Sequence, residues 1–218
     1  MVFVAFLVTA LAGYLLGSIP SGYLAGKARG VDIRTAGSGN IGATNAFRIL
    51  GRGLGTCVLL ADACKGWLAV ALLPGLAQRL TGVDAPVNVE SLRILAAVAV
   101  VLGHNYTCWL RFKGGKGIAT SAGVLAALMP LALVISLTVW LLVCALTRFV
   151  SVASLAAALV LPFGAWLGHS GGALTGVAVA LSALAIYKHK ANIQRLLAGT
   201  ENRIGGPRRP PANAEAEQ

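Results

Sequence analysis

The strongest constraint on this chain is where its charges are missing. Residues 1–26 carry no charged side chain, and further uncharged runs cover 66–78, 94–110, 117–147 and 149–187, with histidine counted as neutral. A helix needs roughly 20 mainly apolar residues to cross the hydrocarbon layer of a bilayer. In a chain with 57% hydrophobic and 11% charged residues, runs of this length leave too little polar surface for a water-facing fold, where about 25% charged residues is usual. The same hydrophobicity excludes a disordered chain. The fold class is therefore an all-α integral membrane protein. The formal charge of +11 then needs no nucleic acid to explain it, because Lys and Arg collect in cytoplasmic loops.

The expected spans are 2–26, 55–78 (with Asp62 and Lys65 inside it), 92–110, 118–130, 131–147, 149–168 and 172–187. That makes about seven transmembrane helices, the fourth of which is short at about 20 Å. Basic residues concentrate in 27–54, 111–116 and 188–209, while the loop 79–93 is balanced in sign. The positive-inside rule puts the basic segments in the cytoplasm. The N-terminus is then outside and the C-terminus cytoplasmic. A cleavable signal at 1–26 would need a basic n-region, and the first basic residue is Lys27. One transmembrane domain is expected over 1–206, followed by a disordered Pro-rich tail at 207–218. No internal repeat is visible. Cys57, Cys64, Cys108 and Cys144 form no CxxC and have no His at metal-ligand spacing.

The chemistry concentrates in three polar segments on the cytoplasmic side. The first is GSGNIGATN at 37–45, followed by Arg48. Glycines allow tight turns and close backbone approach, and successive N–H groups in such turns make an anion-binding concavity. Ser38, Asn40, Thr44 and Asn45 add short polar groups. The second is GHN at 103–105 with FKGGKG at 112–117. Lys113 and Lys116 flank Gly114, Gly115 and Gly117, and the stretch leads into an apolar helix whose N-terminus favours an anion. It is not a Walker A loop. The third is HKANIQRLLAGTENR at 189–203, where His189 and Asn192 share a helix face and Gly199 is placed to end the helix. Asp62 and Lys65, at i and i+3 inside a span, are either a functional pair or a mutually neutralising structural one. His104 precedes the second segment and is read as a site residue; His169 has no role. Residues alone thus point to an interfacial site for one or two phosphorylated ligands beside lipid.

The three motifs, in order, closely resemble those of the bacterial acyl-phosphate:glycerol-3-phosphate acyltransferases, and the resemblance runs from about residue 1 to 205. It implies an inner-membrane enzyme with its active site on the cytoplasmic face. The reaction implied is acyl transfer from acyl phosphate to the 1-hydroxyl of sn-glycerol 3-phosphate, giving lysophosphatidic acid and phosphate. It implies no metal or nucleotide cofactor and membrane lipid as surroundings; protein partners stay unknown. By position, Ser38, Lys113, Lys116 and His104 are expected to act in catalysis. Asn40, Thr44, Asn45, Arg48, Gly114, Gly115, Gly117, His189 and Asn192 are expected to bind substrate, with Asp62, Lys65 and Glu201 structural beside them. No His is followed five positions later by Asp, since Trp109, Leu174 and Gln194 stand there. The family route is substrate-assisted, a substrate phosphate taking the hydroxyl proton, with His104 and His189 as alternative bases. A transporter of an organic phosphate is the main competing reading. It predicts binding groups near the bilayer midplane and often a repeat. A scaffold whose basic loops hold anionic lipid would not need the glycine spacing.

Overall fold

A computed structural model describes residues 1–82 and 88–206. Part of the loop 79–93 and the whole tail 207–218 therefore lie outside the described residues. Within them the chain is all-α: α1 Val2–Ser18, α2 Ser21–Lys27, α3 Ala43–Thr81, α4 Val89–Asn105, α5 Ile118–Leu128, α6 Pro130–Thr147, α7 Val150–Leu167, α8 Gly171–Lys188 and α9 Lys190–Leu197. Six segments among the described residues are long and apolar enough to span a membrane: Val2–Lys27, Ala43–Thr81, Val89–Leu110, Pro130–Thr147, Val150–Leu167 and Gly171–Lys188. The seventh expected span, 118–130, is the 11-residue helix α5, about 16 Å long at 1.5 Å per residue. Pro130 starts α6 at its N1/N2 position, where its missing N–H costs nothing. That is why the apolar run 117–147 divides there.

Two expectations shift. The first span is not one straight helix, because Pro20 separates α1 from α2. The second span begins well before 55. Helix α3 starts at Ala43, inside the first motif, and bends at Gly51, whose φ of 84° is non-helical. The motif's second half is thus a helical turn that carries Arg48, not a loop.

Large side chains face outward, as in a lipid-facing bundle: Leu146 is 81% exposed and Leu159 70%. Small residues do the packing. A Cβ on Gly66 would lie 2.2 Å from the Thr120 carbonyl oxygen, and one on Gly123 1.8 Å from that of Ala63, so α3 and α5 interlock backbone to backbone. Gly17 and Gly103 do the same between α1 and α4, against the carbonyls of Val100 and Tyr14. Such close approach is the main route to helix packing in lipid. The core runs through Val70, Val100, Val124, Leu161, Ala165 and Leu181. A smaller cluster of Ile33, Ile41, Ala46, Val58 and Leu110 sits beneath the first motif.

Candidate active site

The first motif is folded around Asn45. Its Oδ1 accepts the Ser38 N–H at 2.9 Å, and its Nδ2 donates to the carbonyls of Ile33 and Ala36, each at 3.0 Å. Gly37, at φ 60°, passes so close that a Cβ there would lie 2.4 Å from Asn45 Oδ1. Asn40 Oδ1 accepts the Gly42 N–H at 2.8 Å, an Asx-type turn that leads into α3. Asn45 and Asn40 therefore spend hydrogen bonds on shaping the turn. Ser38 and Thr44 stand exposed at its surface and Arg48 is half-buried one turn into α3.

The second motif is asymmetric. Lys113 is exposed, and it does not line the cavity described below. Gly114 and Gly115 are not open donors, because their N–H groups go to the carbonyls of Asn105 at 3.2 Å and His104 at 3.0 Å. The glycines serve close packing on the end of α4. Lys116 and Gly117 reach the cavity. Lys116 Nζ donates to Asn192 Oδ1. Asn192 Nδ2 and Arg195 Nε donate to the two oxygens of Glu201, each at 2.7 Å. Gly199, at φ 66°, ends α9, and the chain turns back so that Glu201 meets the helix it has just left. Arg203 lies over the Phe149 ring at 5.1 Å, and Ile204 N–H donates to the Arg148 carbonyl at 2.9 Å. This return segment ties α9 to the α6–α7 turn.

These parts surround one cavity, lined by Ser38, Thr44, Arg48, Asp62, His104, Lys116, His189, Asn192 and Glu201 among others. The helices α3, α5 and α7 start at its wall, through Ala43, Ile118 and Val150, and none has a side-chain cap bond. Uncapped N-termini present unpaired N–H groups and a positive dipole end. Such termini, together with Arg48 and Lys116, make the cavity a receptor for anions. Its apolar side is Leu59, Ile118, Ala119, Trp140 and Val150.

Burial brings the Lys116 pKa down to about 8; Glu201 opposes the shift, and Arg195, Arg48 and Lys188 add to it. Burial, and then Lys116, lower His189 to about 4. His189 is therefore neutral near pH 7. Its Nδ1 lies 2.7 Å from the Ala185 carbonyl, which assigns the proton to Nδ1 and leaves Nε2 as an acceptor. Asp62 Oδ1 meets Lys65 Nζ at 2.9 Å, Ser21 Oγ at 2.9 Å and His104 Nδ1 at 3.6 Å. Lys65 also donates to the Ile19 carbonyl at 2.9 Å, so it faces away from the cavity wall. Sequence reasoning missed the α6–α7 contribution: Trp140, whose Nε1 donates to Ser154 Oγ at 3.1 Å, and Val150 and Ser151. These lie inside apolar runs, where a serine gives no signal of its own.

A family model described as glycerol-3-phosphate acyltransferase matches residues 7–199, across all three polar segments. The chain belongs to that family. It is an acyltransferase by that membership, and curated glycerol-3-phosphate acyltransferases resemble it along nearly their whole length. The one from Geotalea daltonii is 43% identical, over 90% of this chain and 96% of that one. The one from Desulforudis audaxviator is 46% identical, over 88% and 91%. Crystal structures of PlsY (YgiH), an integral membrane glycerol 3-phosphate acyltransferase, share the fold. Its glycerol 3-phosphate form has a TM-score of 0.80 at 35% identity, covering 97% of this chain and 98% of that one. Its lysophosphatidic acid form has a TM-score of 0.78 at 37% identity, covering 92% and 95%. The cavity thus has groups suited to an anion on one side and apolar residues on the other.

Proposed function

We propose that this chain transfers a fatty acyl group from acyl phosphate to the 1-hydroxyl of sn-glycerol 3-phosphate, at the cytoplasmic face of a bacterial inner membrane. The observation that carries this reading is the convergence of uncapped helix N-termini, Arg48 and Lys116 on one cavity with an apolar side. Both substrates are phosphate anions and one carries an acyl chain. In this reading Arg48, with His189 and Asn192, holds glycerol 3-phosphate. Lys116, Gly117 and the start of α5 face the phosphate of the donor. Ser38 stands at the reacting centre.

The chemistry is direct. The glycerol hydroxyl oxygen bonds to the acyl carbonyl carbon, and the bond from that carbon to the phosphate oxygen breaks. The proton passes to a substrate phosphate and leaves with inorganic phosphate. Acyl phosphate is a mixed anhydride, so its phosphate departs readily. Lys116 and the α5 N–H groups offset the charge that grows on it, the kind of preorganised stabilisation that supplies much of enzymatic catalysis. The apolar wall takes the acyl chain. In this reading the chain has seven membrane segments, counting the short α5, with the N-terminus outside and all three motifs on the cytoplasmic side, as their basic residues favour.

The test is to incubate purified protein, reconstituted in lipid vesicles, with glycerol 3-phosphate and either acyl phosphate or acyl-CoA. Lysophosphatidic acid formed from acyl phosphate, and not from acyl-CoA, is the expected result. Uptake of glycerol 3-phosphate into vesicles with no acylated product in either case would replace the enzyme with a transporter.

A further inference from the structure

His104 is 5% exposed and wedged between two fixed neighbours. Its Nδ1 side faces Asp62 Oδ1 at 3.6 Å. Its far edge rests on Gly115: a Cβ there would lie 2.1 Å from Nε2, 2.9 Å from Cε1 and 3.0 Å from Cδ2. Asp62 is itself held, by Lys65 and by Ser21. The turn at 113–117 is bolted to the same place, since Gly115 and Gly114 donate to the carbonyls of His104 and Asn105. The Asn105 carbonyl is gripped from α8 as well, by Lys188 Nζ at 2.9 Å. The next residue along the turn is Lys116.

We infer that His104 is a positioning residue: set beside Asp62, its ring is the surface against which Gly115 seats, and that seating sets where Lys116 stands in the cavity. This rests on the acyltransferase reading, in which Lys116 meets the departing phosphate. It is an alternative to the expectation that His104 acts as a base: one ring nitrogen faces Asp62 and the other lies against Gly115. It also gives the glycine at 115 a steric reason of its own. A methyl group there meets a ring that cannot swing away, rather than a phosphate.

The experiment is a set of variants assayed for kcat and for KM of each substrate. An asparagine places its Nδ2 about where the imidazole Nδ1 stands and is shorter beyond it. It keeps the side facing Asp62 but lacks the edge on which Gly115 seats, so His104→Asn and His104→Ala are both expected to let the turn drift and lose about tenfold or more in kcat with the pH profile unchanged, whereas His104→Gln, whose amide reaches about as far as the imidazole Nε2, is expected to retain activity within about threefold. Gly115→Ala is expected to lose more than His104→Ala. The double variant His104→Asn/Gly115→Ala is expected to recover about tenfold over Gly115→Ala, because the clash has been removed; coupling of this kind marks residues in contact. If His104→Gln is as inactive as His104→Ala and the acidic limb of the pH profile disappears in both, His104 is a base. If the losses in the double variant simply multiply, the ring is not what Gly115 seats against. Gly115→Ala and the double variant are both monitored for monodispersity in detergent, and a double variant that restores a monodisperse peak without restoring turnover also overturns the inference. Absence of acyl transfer by the unaltered protein would instead sink the acyltransferase reading.

Discussion

Lys116 and Lys113 look equivalent in the sequence, neighbours in one glycine-rich stretch. The fold separates them by burial, and that sets a measurable difference. The working form of Lys116 is the ammonium, present below its pKa of about 8 and lost as pH rises through it. With acyl phosphate as the varied substrate, kcat/KM is expected to fall above pH about 8, and Lys116→Arg to move that limb upward by more than about one unit, because a guanidinium stays charged. Lys113→Ala is expected to leave the limb in place. A limb unmoved in Lys116→Arg would assign it to another group. Arg48→Ala removes a charge-assisted contact of about 1.5–3 kcal/mol, so kcat/KM for glycerol 3-phosphate is expected to fall roughly tenfold or more. Polar residue identities were legible in the sequence because short polar and basic side chains are out of place in so apolar a chain. Their pairings were not. The partner of His104 is Asp62, on a different helix and far earlier in the chain, so a search at the spacing of four intervening residues could not find it. Nor could the sequence say that Asn45 would hold the turn from inside.

Among the elements, α5 is the one whose length alone misleads. Its 11 residues fall short of the roughly 20 that a crossing usually takes, yet its N-terminus supplies part of the cavity wall, and its place is fixed by the glycine interlock with α3. Gly123→Ala puts a methyl group 1.8 Å from a backbone carbonyl of α3, which cannot rotate away. Overpacking of this kind costs about 1–3 kcal/mol, and the expected outcome is a lower thermal midpoint in detergent together with reduced kcat. Gly176→Ala in α8, where a Cβ meets nothing within 4 Å, is the control. It is expected to hold or slightly raise stability, because alanine loses less backbone entropy in a helix. Equal effects of the two would remove the interlock as a determinant. The uncharged runs predicted the long helices well. They could not show the break at Pro20 or the early start and bend of α3, because a helix that carries polar motif residues reads as a loop when only apolar length is counted.

At the scale of the whole molecule, the apolar bundle brings three polar segments, spread along the chain from Gly37 to Arg203, to one cavity. Cysteines introduced at Ala36, Lys113 and Ile204 are expected to react with an impermeant maleimide only from the cytoplasmic side of oriented vesicles. Labelling of any of them from outside would overturn the seven-segment topology. The central claim is direct transfer of the acyl group from acyl phosphate to the hydroxyl of glycerol 3-phosphate, both held together in that cavity. Its most direct test is to give the purified protein radiolabelled acyl phosphate, first alone and then with glycerol 3-phosphate. The account expects no acylated protein in the first case, and in the second one lysophosphatidic acid and one inorganic phosphate for each donor consumed. An acyl group on Ser38, formed without acceptor and discharged at the turnover rate when acceptor is added, would contradict it.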